Sequence, residues 1–303
     1  MQTPTGYCGR FAPSPTGPLH FGSLVAAVGS YLDARHHQGT WLLRVEDVDT
    51  PREVPGATDD ILKTLEQLGM TWDGPVNYQS KRTRLYETAL RQLQQQGHIF
   101  DCGCTRKELA GSTAYPGTCR EGLPTGRSAR SLRVRVRDAT IDMQDRLQPA
   151  LHQQLATDVG DFIIRRTDKL FAYQLAVVVD DGEQRINNIV RGVDLLESTP
   201  RQIYLQQLLG LPTPAYLHLP VAVGADKAKL SKQTFARRID VDDTNNAVLD
   251  ALQFLGQPLP DSPRDASREE LWQWAIDHWD TSLIPTGRKL PAPARYIDSP
   301  AAS

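Results

Sequence analysis

A short strand, followed by a run of prolines and glycines and then at once by an apolar helix, is the feature that most restricts how this chain can fold. Residues 7–11 read as the strand, and Ala12-Pro13-Ser14-Pro15-Thr16-Gly17-Pro18 as a loop that cannot continue it. Phe21, Leu24, Val25, Val28, Leu32 and Ala34 then recur at near-helical spacing up to Gly39, and Trp41-Leu42-Leu43-Arg44-Val45 reads as a second strand. Strand, loop, helix and strand make a βαβ unit. That unit predicts an α/β fold with a parallel sheet and ligand chemistry where the first strand meets the helix.

Further along, amphipathic helices are predicted over 57–68 and 82–96, the second ended by Gly97. Between 101 and 126 the periodicity fades and cysteines, glycines, threonines and prolines accumulate, as expected of an insertion tied by a metal. Leu132, Val134 and Val136 alternate with Arg133, Arg135 and Arg137, a strand pattern with one basic face, and 161–166 reads as another strand. Sheet-type sequence is expected to resume over 171–181 and 186–190, followed by a helix over 199–210 opened by Pro200. Helices are expected over 248–255 and 268–278, and the last dozen residues read as a tail.

The 303 residues allow two domains or one large domain with an insertion. No apolar run reaches the roughly 18 residues of a membrane span, and 1–9 lacks the pattern of a signal peptide, so the cytoplasm is the expected compartment. Lys plus Arg number 34 against 36 acidic residues, so any nucleic-acid surface has to be local. Arg127, Arg130, Arg133, Arg135 and Arg137 offer such a surface, although a solvated strand face explains them equally well. Three of the four cysteines, Cys102, Cys104 and Cys119, fall within eighteen positions and point to a metal site in a reducing compartment, whereas Cys8 reads as a small buried hydrophobe. From spacing alone, His98 is the first choice for a fourth ligand.

Two segments carry phosphate chemistry. In Arg10-Phe11-Ala12-Pro13-Ser14-Pro15-Thr16-Gly17-Pro18-Leu19-His20-Phe21-Gly22-Ser23-Leu24, Gly22 permits close approach of a nucleotide, the amides opening the helix attract phosphate, and His20 can donate a hydrogen bond to a phosphoryl oxygen. In Lys229-Leu230-Ser231-Lys232-Gln233, which follows a strand ending near Val223, two ammonium groups can close over the β- and γ-phosphates of ATP. Arg10 and Arg191 are candidates to clamp a carboxylate, Glu46 to hold an ammonium group and Tyr173 to line the same pocket.

The first segment resembles the HIGH signature of class I aminoacyl-tRNA synthetases, with a Pro-Ser-Pro-Thr-Gly lead-in similar to the glutamyl and glutaminyl branch, and 229–233 resembles their KMSKS signature. Ser23 stands where the full signature has a second His. The resemblance covers nearly all of 7–260 and implies a Rossmann-like catalytic domain in two halves (5–80 and 170–240). It also implies an inserted zinc-containing α+β domain (81–169) and a helical C-terminal region with its tail (241–303).

The resemblance further implies that Arg10, Phe11, Ala12, Pro13, Ser14, Glu46, Tyr173 and Arg191 bind L-glutamate, and that His20, Gly22, Ser23, Lys229, Ser231 and Lys232 bind ATP with Mg2+. His20, Lys229 and Lys232 act on the phosphates, Lys232 foremost. Asp180 and Asp181 also match the family pattern, without an assigned role beyond packing or a magnesium shell.

Only about 70 residues follow Gln233, too few for the helical anticodon-binding portion of a glutamyl enzyme or the β-barrels of a glutaminyl one. The short chain and its Cys-x-Cys, Tyr, Cys spacing resemble the glutamyl-Q tRNA(Asp) synthetases, which implies one structural Zn2+ on Cys102, Cys104, Tyr115 and Cys119. It also implies a monomer that transfers glutamate to the queuosine base in the anticodon stem-loop of tRNA(Asp). The alternatives are a minimal enzyme charging a tRNA 3′ end, a nucleotidyltransferase, and a non-enzymatic regulator.

Overall fold

The computed structural model describes residues 6–112, 114–224, 227–230, 237–262 and 266–297. Its first strand, β1 (Cys8–Phe11), leads through the 12–20 loop into α1 (Phe21–His36) and then β2 (Thr40–Val45). The two strands are parallel, with Cys8 opposite Thr40. After α2 (Ala57–Gln67), the two-residue β3 (Asn77–Tyr78) adds in parallel to the far edge of β2.

Helix α3 (Thr83–Gln95) carries the chain away from this sheet. Two small antiparallel sheets follow: β4 (Ile99–Cys102) pairs with β5 (Ser131–Val134), and β6 (Thr140–Met143) pairs with β7 (Leu151–Gln154). A single-turn helix, α4 (Leu155–Asp158), precedes β8 (Ile163–Arg165), which closes the first of these sheets on β5. Helix α5 (Tyr173–Glu183) then returns to the parallel layer, where β9 (Asn188–Gly192), α6 (Thr199–Leu209) and β10 (Ala215–Leu219) make a second βαβ unit with Asn188 opposite Ala215.

Strand β9 lies beside β1. The Asn187 amide donates to the Cys8 carbonyl at 3.0 Å, and the Cys8 amide to Asn187 Oδ1 at 2.8 Å. Two parallel halves therefore meet at β1 and β9, and the crevice beyond their carboxyl ends is where such a topology opens a binding site. Strand β11 (Val221–Val223), α7 (Thr244–Phe254), α8 (Arg268–Asp277) and β12 (Lys289–Pro291) complete the described fold, with β12 parallel to β11.

Helix α1 is central. Phe21, Leu24, Val28, Leu32 and Ala34 are fully buried, packed with Trp41, Leu65, Leu252 and Trp272 from β2, α2, α7 and α8. The Phe, Leu and Val side chains among them each contribute roughly 1.5–3 kcal/mol of transfer free energy when withdrawn from water. Gly29 lets the helix settle on β10, because a Cβ there would lie 2.5 Å from Leu219 Cδ1. A second apolar cluster joins α3, β5, β8, α5 and α6 through Tyr86, Val134, Ile164, Leu175 and Tyr204.

Four sequence expectations change. The 171–181 stretch, expected as strand from its Val177-Val178-Val179 run, is mostly the helix α5. Its 11 residues are too long for an average strand, and burial of Leu175, Ala176, Val177 and Val178 overrides the modest helix penalty of β-branched residues. The strand expected over 186–190 forms two residues later. The basic face expected from Arg133, Arg135 and Arg137 is broken: Arg133 is buried, its Nη1 donating to the Asp161 carbonyl at 2.6 Å, and Arg135 pairs with Glu121 at 2.9 Å, while Arg137 is exposed. Finally, 292–297, expected to belong to the tail, pack on the body of the fold: Tyr296 is buried and stacks on Phe21 with ring centroids 4.4 Å apart, while 298–303 lie outside the described residues.

Candidate active site

A cleft of about 320 Å³ opens at the carboxyl ends of β1 and β9. Its lining includes Arg10, Phe11, Ala12, Pro13, Ser14, His20, Gly22, Ser23, Glu46, Tyr173, Arg191 and Lys229. The candidates for phosphate and for carboxylate binding, drawn from three distant parts of the chain, thus share one cavity. Ser231 and Lys232 lie outside the described residues.

The 12–20 loop is pinned on both sides. The Glu46 amide donates to the Pro13 carbonyl and the Val54 amide to the Pro15 carbonyl, each at 2.9 Å, and the Ile239 amide reaches the Leu19 carbonyl at 3.1 Å. His20 is the N-cap of α1, and its Nδ1 accepts from the Ser23 amide at 3.3 Å. With Nδ1 acting as acceptor, the neutral ring carries its proton on Nε2, which lies 3.2 Å from Ser23 Oγ. Ser23 therefore braces the imidazole from the position where a second histidine would stand. Gly22 faces the same ring, where a Cβ would come within 3.2 Å of it.

Beneath the cleft lies a buried cluster of charge. Arg10 Nε donates to Asp181 Oδ1 at 3.1 Å, and Arg44 Nη1 to the same oxygen at 2.8 Å. Arg44 also approaches Glu46 Oε1 at 3.4 Å. Burial would raise the Asp181 carboxyl, but the two guanidinium groups outweigh it and hold the group below the usual carboxylate range. Glu46 goes the other way: burial raises it, and Arg44 and Arg10 offset that only in part. Burial, with Glu46 nearby, likewise raises the Tyr173 hydroxyl. Asp180 accepts from Gln79 at 2.8 Å, Arg82 at 2.6 Å and Tyr86 at 2.8 Å, which gives it a packing role.

On the opposite half, Arg191 Nε donates to His218 Nε2 at 3.1 Å and Nη2 to Thr199 Oγ1 at 2.7 Å. Its third nitrogen, Nη1, is buried with no hydrogen-bond partner among the described residues. An unmet guanidinium donor in a cleft calls for an anionic acceptor, because leaving it unpaired costs about 1–3 kcal/mol or more. Lys229 Nζ meets Asp194 at 2.6 Å on the rim.

In the 102–119 segment, the sulfurs of Cys102, Cys104 and Cys119 lie within 4.8 Å of one another. Cys104 and Cys119 are 3.7 Å apart, and the Tyr115 hydroxyl is 3.5 Å from Cys102 and 3.6 Å from Cys104. A tetrahedral zinc with sulfur at about 2.3 Å and oxygen at about 2.0 Å sets S···S near roughly 3.8 Å and O···S near roughly 3.5 Å. The four groups fit that ion. Burial raises the Cys102 thiol, but hydrogen bonds with Tyr115, the Cys104 amide and Arg133 prevail and bring it down to about 7, whereas burial and the neighbouring thiols of Cys119 and Cys102 raise Cys104. His98 does not belong to this cluster.

Of the five arginines considered for nucleic acid, Arg127 pairs with Glu108 at 2.5 Å, while Arg130 and Arg137 remain exposed. Together with the inward turn of Arg133, this leaves no continuous basic strip along β5. Sequence reasoning assigned no part to Arg44, Asp145, Asp194, Thr199 or His218. A charged or imidazole side chain inside an apolar strand, as in Trp41-Leu42-Leu43-Arg44-Val45 and Tyr216-Leu217-His218-Leu219, was a signal available for two of them. For Asp145, on a connection after β6, the sequence carried none.

Residues 8–116 and 117–270 match the family described as tRNA synthetases class I (E and Q), catalytic domain. The chain is similar to the glutamyl-Q tRNA(Asp) synthetase of Dechloromonas aromatica (strain RCB), with 56% identity over 97% of this chain and 100% of the relative. It is similar to the protein of the same name from Aromatoleum aromaticum, with 55% identity over 95% of this chain and 93% of the relative. Among solved structures it resembles a glutamate tRNA ligase from Elizabethkingia meningosepticum, crystallised in complex with its amino acid. The TM-score is 0.75 at 24% identity, over 95% of this chain and 67% of that one.

Proposed function

We propose, from the premise that this chain belongs to the class I tRNA synthetases of the E and Q type, that it activates L-glutamate with ATP and passes it to the queuosine base of tRNA(Asp). The observation that carries this reading is that Arg191, whose buried Nη1 has no partner among the described residues, lines one cleft with Glu46 and with the amide end of α1. That cleft offers a cation for a side-chain carboxylate, an anion for an ammonium group and a helix terminus for phosphate.

In this reading Arg191 and Arg10 hold the side-chain carboxylate of glutamate, Glu46 holds its ammonium group, and Phe11 to Ser14 with Tyr173 shape the walls. The α-carboxylate attacks the α-phosphorus of ATP. A carboxylate-to-phosphorus bond forms, the bond to the bridging oxygen breaks, and pyrophosphate leaves. His20 Nε2–H shifts from Ser23 to a phosphoryl oxygen as charge builds there, while Gly22, Ser23, Lys229, Ser231 and Lys232 contact the rest of the nucleotide, which arrives with Mg2+. A hydroxyl of the queuosine cyclopentene ring then attacks the activated carbonyl and AMP departs.

Cys102, Cys104, Tyr115 and Cys119 would hold a structural zinc that ties down the 102–119 segment. The domain limits given above, 5–80 with 170–240 around an inserted 81–169 and followed by 241–303, belong to the same reading.

The test is transfer of labelled glutamate, with ATP and magnesium, to tRNA(Asp) with and without queuosine, in portions with and without periodate treatment before the reaction. Label that requires queuosine and maps to the anticodon loop is the expected result. Label on the 3′ adenosine of a tRNA makes this a charging enzyme instead, and absence of glutamate-dependent pyrophosphate exchange overturns the reading.

A further inference from the structure

Arg191 is only the inner end of a buried chain of hydrogen bonds. His218 Nδ1 lies 2.6 Å from Asp145 Oδ2, and both side chains are fully buried. The other oxygen, Asp145 Oδ1, accepts from the amides of Leu147 at 3.0 Å, Gln148 at 2.9 Å and His218 at 3.2 Å. At the far side of the imidazole, Nε2 receives the Arg191 Nε–H at 3.1 Å and lies 3.2 Å from Thr199 Oγ1. The Thr199 hydroxyl donates to the Leu195 carbonyl at 3.1 Å while its oxygen accepts from Arg191 Nη2 at 2.7 Å. The Tyr216 ring lies under the guanidinium, 5.3 Å from its carbon, and stacks on His218 at 12°.

The polarity of this chain is forced from both ends. A carboxylate can only accept and a guanidinium can only donate, so the imidazole between them must be neutral, with its proton on Nδ1 and its lone pair on Nε2. Two of the three guanidinium nitrogens are thereby fixed before any ligand arrives, and the third is buried with no partner among the described residues, on a side chain that lines the cleft. The nature of the acceptor matters as much as its place. A carboxylate in direct contact would neutralise Arg191 and compete with an anionic substrate. An imidazole orients the guanidinium yet leaves its charge unspent, and the carboxylate that fixes the tautomer stands one residue further back.

We propose that Asp145 and His218 are positioning residues that hold Arg191 as an oriented, uncompensated cation, and that this arrangement sets the preference for a side-chain carboxylate over a neutral side-chain amide. The inference rests on reading this cleft as the glutamate site.

The experiment is steady-state ATP–pyrophosphate exchange on the full chain, with glutamate and glutamine as alternative substrates. Asp145→Asn keeps Oδ1 for the three amides and turns an amide nitrogen toward His218. The imidazole then moves its proton to Nε2, where it opposes the donor of Arg191. The expected result is a 10- to 100-fold rise in KM for glutamate, the size of one lost charge-assisted hydrogen bond. KM for ATP stays within about two-fold, and the preference for glutamate over glutamine falls by the same factor.

His218→Phe gives the same pattern. His218→Gln, whose amide oxygen reaches the place of Nε2, recovers most of the glutamate affinity. Nitrogen chemical shifts of the imidazole report the proton on Nδ1 in the native chain and on Nε2 in Asp145→Asn. Folded Asp145→Asn and His218→Phe proteins with unchanged KM for glutamate overturn the proposal, provided Arg191→Ala raises it. If Arg191→Ala leaves that KM unchanged as well, the glutamate reading of the cleft fails together with the inference.

Discussion

Arg191 concentrates the chemistry of the cleft because it is buried, oriented and, among the described residues, short of one acceptor. Arg191→Ala should raise KM for glutamate by about two to three orders of magnitude, as expected on removing one partner of a buried charge pair, and pyrophosphate exchange at varied glutamate measures it. Arg191→Lys should not rescue it. A single ammonium cannot reach His218, Thr199 and a ligand at once.

The phosphate side should separate from this. Lys232→Ala is expected to nearly abolish adenylate formation while glutamate still protects the protein against thermal unfolding, and unchanged activity would remove that lysine from the mechanism. Phosphate candidates could be read because glycine, proline and lysine are rare enough in such spacing to stand out. Asp145 could not be, since its role exists only once β10 brings His218 beside it.

At the scale of elements, the first βαβ unit was readable because proline, glycine and helical periodicity agreed with one another. Helix α5 was not, because a valine run states burial more strongly than it states shape. The C-terminal segment misled for a different reason. Tyr296 carries no periodic context, yet its ring covers Phe21, the first residue of α1 and the neighbour of His20.

Tyr296→Ala should therefore destabilise the protein by about 3–5 kcal/mol, in the range of a deleted buried aromatic, with Tyr296→Phe close to native. Urea unfolding measures both, and equal stability of Tyr296→Ala would mean that this segment does not hold α1 in place. At the cysteine cluster, chelation or Cys119→Ser should lower the melting temperature and increase proteolysis within 102–119, and no change on chelation would argue against a structural zinc.

For the whole molecule, the buried carboxylates set the response to acid. Burial would raise Asp33, Asp145 and Asp181, but Arg146 with Tyr7, His218, and Arg10 with Arg44 respectively hold them below the ordinary range. Their stabilisation is complete above roughly pH 4 and is lost as pH falls through their lower folded values. His218, lowered by burial, adds an earlier loss, since the unfolded chain takes up its proton below roughly pH 6.5 while the folded chain resists. Glu46 has the opposite sign, its raised value favouring the folded chain toward acid.

Denaturation midpoints should thus decline gently below pH 6.5 and steeply below pH 4, and the gentle part should vanish in His218→Phe. A midpoint flat down to pH 4 in the native chain would contradict this assignment. The meeting of β1 with β9 also has a meaning for synthesis. Cys8 finds Asn187 across 179 positions, so at roughly 5–20 residues per second a ribosome delivers the second strand some ten to forty seconds after the first. Through that interval the nascent chain presents an open strand edge of unpaired N–H and C=O groups, and shielding it during translation is a burden this topology places on the cell.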